Sequence, residues 1–174
     1  MNKLKQMGLL VSALVMVFFN LNVCAKNVGA YIQLSSSVTQ AASGETNVAT
    51  FNTVAGNAGI DEVRDKVTFH EDGVYFIMAQ GQVGVVKPGS TASGDVDLWF
   101  IKNGTSIANS TSRQSVVSGA SSALVIQDVL SVKAGDTIGV GYSASNPLLG
   151  LFFLPAKKNV PAIQSIVFTV YKVA

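Results

Sequence analysis

The chain of 174 residues contains one cysteine, Cys24, and one histidine, His70. That scarcity excludes a disulfide framework, a Cys/His zinc site and any metal centre built from several histidines. Charged residues are also few, 13% against about 25% in an average soluble domain, while 48% of the chain is hydrophobic. A chain with so much to bury is not a disordered one. Lys and Arg outnumber Asp and Glu by 12 to 10, but Lys3 and Lys5 sit in a leader-like segment. Without those two the signs balance, and a neutral chain has no net electrostatic footprint for nucleic acid or an anionic membrane. Nucleophile elbow, phosphate-binding loop and dinucleotide fingerprint are absent from the sequence.

What is present begins with an address. Lys3 and Lys5 precede an uncharged, mostly apolar run from Met7 to Phe19, and Val23 and Ala25 are small residues at the two positions a signal peptidase reads. The run is shorter than the roughly 20 residues of a bilayer span. Residues 1–25 therefore read as a cleavable signal peptide and 26–174 as a single globular domain, exported to the periplasm, the cell surface or the medium. Leu21-Asn22-Val23-Cys24 is the alternative, a lipoprotein box with Cys24 as anchor. No later stretch is long and apolar enough to span a membrane. The remaining domain lacks cysteine, so its own core and self-association must hold it.

Beyond Ala30 the apolar residues alternate with period two. Val96, Leu98 and Phe100 alternate with Asp95, Asp97, Trp99 and Ile101; Ile166, Phe168 and Val170 alternate with Val167, Thr169 and Tyr171. Ile138, Val140 and Tyr142 repeat the pattern. Turn signals separate the runs, among them Asp72-Gly73, Lys87-Pro88-Gly89, Asn103-Gly104 and Ala134-Gly135-Asp136. Many short strands with one face in a core give a β-sandwich or barrel.

Three segments in order carry a resemblance: Gly73-Val74-Tyr75-Phe76-Ile77, the strand Val96 to Gly104, and Leu130 to Ile138 with its Lys-Ala-Gly-Asp turn. They resemble the globular head of complement subcomponent q, the C-one-q domain of the tumour necrosis factor-like jelly-roll superfamily. A closing strand from Ser165 to Val173 falls where the family's last strand falls, and Ala30 to Leu34 and Val48 to Val54 match the first strands loosely. Two departures stand out: Glu71-Asp72 replaces the proline that often precedes the first motif, and no collagen stalk is attached. The resemblance implies an all-β, two-sheet antiparallel jelly-roll sandwich of about ten strands, assembled as a compact homotrimer that binds surfaces, receptors or glycans. It also implies that the strands carrying Tyr31, Trp99 with Ile101, and Val167 with Tyr171 share the sheet around the threefold axis. These five residues are the expected trimer interface.

Candidate chemistry is thin. His70 with Glu71 and Asp72 reads as a solvated turn, because neighbours in an extended strand point to opposite faces. Asp95 and Asp97 project from one strand face and are the only weak candidates for a cation, calcium; six to eight oxygens would be needed. Asn103-Gly104-Thr105 and Asn109-Ser110-Thr111 match the glycosylation triplet, one over a tight turn and one in a polar stretch. Between Pro147 and Pro155 lies the most apolar run, with Leu148, Leu149, Leu151, Phe152, Phe153 and Leu154. It reads either as a buried strand or as an exposed loop for a partner or lipid surface.

The expected function is that of an exported, non-enzymatic trimeric module binding a protein, glycan or cell-surface ligand, with no catalytic residues and no cofactor. A structural component of a cell coat or matrix is the alternative, and a hydrolase using a carboxylate pair is the enzymatic one. Intact-mass spectrometry of the exported protein is expected to place the N-terminus at Lys26; a diacylated Cys24 would overturn that expectation.

Overall fold

A computed structural model describes residues 29–42 and 45–174; the expected leader and Cys24 lie outside them. Fourteen strands form, with no helix among the described residues. In chain order they are β1 (Tyr31–Ser36), β2 (Gln40–Ala41), β3 (Asn47–Val48), β4 (Thr53–Ala58), β5 (Ile60–Val63), β6 (Lys66–Phe69) and β7 (Gly73–Val85). There follow β8 (Gly94–Lys102), β9 (Thr105–Ser106), β10 (Ser112–Val116), β11 (Ser121–Val132), β12 (Thr137–Ala144), β13 (Leu149–Leu151) and β14 (Ile166–Lys172). Ten of them run for four residues or more, the number the resemblance implies, and the other four are short.

Two antiparallel seven-stranded sheets face each other. In the first, the long β7 pairs with β11 along one edge; along the other it pairs with β14 and then, nearer its end, with β13. β14 passes the sheet on to β1 and β4, and β13 to β2. The second sheet runs β10-β8-β12-β6-β5, with β9 on β8 and β3 on β12. The stretch expected to form one early strand, Val48 to Val54, is divided: β3 joins the second sheet and β4 the first.

The alternating residues supply the core. Ile32, Leu34, Tyr75, Ile77, Phe168 and Val170 point inward from the first sheet, and Val67, Phe69, Leu98, Phe100, Ile138 and Val140 from the second. The two faces touch through aromatic pairs. Phe69 meets Tyr75 edge-on at 4.6 Å between centroids, and Phe100 meets Phe168 at 5.9 Å. Each such pair adds about 0.5–1.5 kcal/mol beyond the area it buries.

One end of the sandwich is closed by a polar clasp. Asn103 and Gly104 both have positive φ, 51° and 83°, so the β8–β9 turn is of the tight hairpin type that this dipeptide favours. The Asn103 amide donates to the Asp136 carboxylate at 2.8 Å and its carbonyl accepts from the Thr137 N–H at 2.8 Å. This triplet asparagine is therefore committed to a turn. Asp136 also accepts from Lys102 Nζ at 2.8 Å and from the Lys133 N–H at 2.9 Å. These bonds, that from Lys102 foremost, hold its carboxyl down at about 2. A depressed carboxyl stabilises the fold above its ordinary value of 3.8, and that contribution fades as pH falls through about 2. Asp136→Asn is expected to cost about 1–2 kcal/mol at neutral pH in urea denaturation. The deficit should shrink as the wild-type carboxylate itself protonates.

Candidate interaction surfaces

The outward face of the first sheet is built from the residues that alternate with its core. Register aligns them in rows across the strands. One row is Val129 on β11, Phe76 on β7, Tyr171 on β14 and Tyr31 on β1. The next is Gln127, Met78, Thr169 and Gln33; the third is Val125, Gln80, Val167 and Ser35. The first row is apolar throughout. Phe76 and Tyr171 lie 5.1 Å apart between ring centroids, and Tyr31 leans over Gly56 of β4, where a Cβ would lie 3.5 Å from its ring. A groove of about 320 Å³ runs between Tyr31, Gly56, Thr169 and Tyr171. Tyr31 remains 37% exposed, Tyr171 44% and Val129 56%.

Three of the five expected interface residues, Tyr31, Val167 and Tyr171, are on this face. Trp99 and Ile101 are not. Their strand, β8, pairs with β10, β12 and β9 in the opposite sheet, so the expectation of one shared sheet is corrected. Both residues also point outward there, yet each is only 8% exposed. Trp99 is sheltered by its own sheet: its indole lies across Gly141 of β12, where a Cβ would come within 2.5 Å of the ring. The indole N–H is buried without a hydrogen-bond partner. Sequence reasoning missed Phe76, Met78, Val125 and Val129. The available signal was that the β7 run Val74 to Ala79 is apolar at every position, which marks a strand with two dry faces.

Asp95 and Asp97 do share a face, and cross-strand partners occupy both. Arg113, opposite Asp97 on β10, grips its carboxylate with two bonds of 2.7 and 2.9 Å, and the Arg113 guanidinium is shifted up by that contact. Ser115 donates to Asp95 at 2.7 Å. A calcium ion would have to displace both contacts, and among the described residues no three of His, Cys, Asp and Glu gather.

His70 sits 2.9 Å from Asp61 at an exposed turn, Glu71 pairs with Lys172 at 2.9 Å, and Asp72 caps the Ala134 N–H at 2.8 Å. The three neighbours thus serve three separate contacts, and none faces a nucleophile. The Lys172 ammonium is shifted up, chiefly by its bond to Glu71. Burial raises the Tyr75 and Tyr142 phenols, each of which donates to a backbone carbonyl, that of Glu71 and that of Ala41.

The apolar run from Leu148 divides. Leu149 and Leu151 are fully buried as β13, whereas Leu148, Phe152, Phe153 and Leu154 are half-buried. The segment is thus a buried strand at β13 and a half-buried connection beyond it. Phe152 and Leu154, with Val85, Pro88 and Lys87, line a cleft of about 270 Å³.

No protein-family model matches the chain, and neither does any curated protein. Solved structures do. The globular domain of zebrafish complement 1qA protein superposes with a TM-score of 0.56 at 15% identity, covering 84% of this chain and 98% of that one. Murine APRIL superposes with a TM-score of 0.52 at 16% identity, covering 82% and 98%. The likeness is one of fold: this chain is a jelly roll of the C-one-q and tumour necrosis factor type.

Trp99 is the only tryptophan, so it reports on its own shelter. Gly141→Ala is expected to lift the indole, shift its fluorescence to the red and destabilise the fold by about 1–3 kcal/mol in urea denaturation. An unshifted spectrum would show that the ring finds cover elsewhere.

Proposed function

We propose that the chain is an exported, non-enzymatic module that works as a homotrimer and binds a protein or glycan ligand on a cell surface. The observation that carries this reading is the outward face of the first sheet. Among the described residues no helix lies over that face, and the row Val129, Phe76, Tyr171 and Tyr31 is apolar from one strand to the next. Aromatic side chains are enriched at subunit contacts because they bury large areas at small entropic cost. Covering the exposed parts of four such side chains contributes about 1 kcal/mol each per subunit towards assembly.

The resemblance of the three strand motifs to the C-one-q domain supports the threefold arrangement, and the superpositions support the fold on which it rests. Val167, in the third row, contributes at the edge of the same contact. Trp99 and Ile101 belong to the folding of the second sheet and not to this interface.

Light scattering of the purified protein is expected to give the mass of three copies. Tyr171→Asp should release monomers, since it would gather three carboxylates near a dry axis. Its melting temperature should change little relative to a wild-type sample diluted to monomer, because Tyr171 is exposed in the single chain. A wild-type monomer at micromolar concentration would overturn the assembly, and a Tyr171→Asp trimer would overturn the face.

A further inference from the structure

The two ends of the sandwich differ in how their charges are partnered. Register gathers one set of connections at the end where β7 finishes and β11 and β13 begin, Val85 lying opposite Leu149 and Gly84 opposite Ser121. Loops 86–93, 117–120, 145–148 and 152–165 meet there and contain Lys87, Lys157 and Lys158 but no Asp or Glu; Glu45, exposed just ahead of β3, is an acid at the same end. All three lysines are exposed, and none forms an ion pair with a described residue. The acid closest in sequence, Asp95 at the start of β8, is engaged by Ser115. At the opposite end the turns carry Glu71, Asp72 and Asp136 together with Lys133, and there Lys102 and Lys172 are paired with acids. A balanced total charge conceals this difference in pairing.

The longest of these loops forms an arm. Leu154 and Ile163 exchange backbone bonds of 3.0 and 2.9 Å, and Lys157 and Val160 exchange two more beyond them. Every residue from 155 to 161 is exposed, so the arm stands clear of the sheets. It displays Val160 and Ile163 beside Lys157 and Lys158, between Pro155 and Pro161 that stiffen its two strands. At its base are the half-buried Phe152 and Leu154, the cleft they share with Pro88 and Lys87, and the loop that exposes Val117.

We infer that this end of the molecule docks on an anionic lipid surface. Apolar side chains on a projecting arm that carries two unpaired lysines and no acid of its own, with a third unpaired lysine at its base, fit an interface that admits the former and attracts the latter. Val160 and Ile163 enter the headgroup boundary while the lysine stems reach back to the phosphates. A protein partner would need a matching cavity for an arm exposed on all sides; a fluid interface does not. The dock is peripheral, since no helix among the described residues is long and apolar enough to cross a membrane.

Vesicle flotation tests this with wild-type and variant proteins sharing one N-terminus. Wild type should float with phosphatidylcholine vesicles containing phosphatidylglycerol and stay behind with phosphatidylcholine alone. The triple substitution Lys87→Gln, Lys157→Gln, Lys158→Gln should weaken binding about a hundredfold, at about fivefold per lysine near a charged surface. Val160→Ser with Ile163→Ser should weaken it as well. All five positions are exposed, so the melting temperature should hold in both variants and exclude unfolding as the cause. Equal binding to both vesicle types, or a triple variant that floats like wild type, overturns the inference. Loss with the lysine variant alone overturns the insertion of the arm, and equally tight binding to polyglutamate assigns the end to an acidic polypeptide instead.

Discussion

Everything in this molecule depends on the drying of two sheet faces against each other. With no helix among the described residues and a single cysteine in the chain, the sandwich is held by side chains that reach across from one sheet to the other, and the contacts of Phe69 with Tyr75 and of Phe100 with Phe168 pin the layers at two places. The strict alternation of β1, β8, β12 and β14 follows from this, because every second residue must be available to that interior. Two polar side chains buried in the first sheet are satisfied locally. Ser165, fully buried, donates to the Ser36 carbonyl, and Gln40 is bonded to the Ser36 hydroxyl and to both backbone groups of Thr50.

The same constraint explains how much could be read from the sequence. Period-two alternation locates a strand and its core face, so the inward positions Val96, Leu98, Phe100, Ile166, Phe168 and Val170 were legible directly. Sheet membership is a different kind of information. Whether β8 lies beside β14 or across from it depends on partners far along the chain, and no local pattern around Trp99 records that its neighbour is Gly141. The glycine was the missing sign: in a strand interior it gains nothing for itself and often marks a place where something lies close above it. The run from Leu148 to Leu154 was ambiguous for a related reason. A short apolar stretch contains no period, and its division into a buried β13 and a half-buried continuation is set by where β14 takes over the edge of β7, Leu151 lying opposite Val83 and Ile166 opposite Gly81.

The two sheets solve the problem of their outer faces differently. The second covers its large aromatic internally, laying Trp99 over a glycine, and pairs its charges across strands as Arg113 does with Asp97. The first leaves Phe76, Tyr171 and Tyr31 in one row without such cover. Its loops at one end then add a third character, basic and apolar together. A side face for self-association and an end for docking do not compete for the same residues, so assembly would multiply the docking ends and not mask them.

The placement of the final strand has a consequence for biogenesis. β14 lies between β1 and β7 and pairs with both, Tyr171 opposite Tyr31 on one side and Phe76 on the other. The centre of the first sheet is therefore closed by a strand far along the chain from β1. Until residues 166–172 are free, β1 and β7 have no strand to join them, and the interior they share with the second sheet stays open to water. Pairing over such sequence separation is slow in any case. The sheet thus closes late, after the pairs β5–β6, β7–β11 and β8–β10, whose partners are nearer in sequence, have had the first opportunity to form.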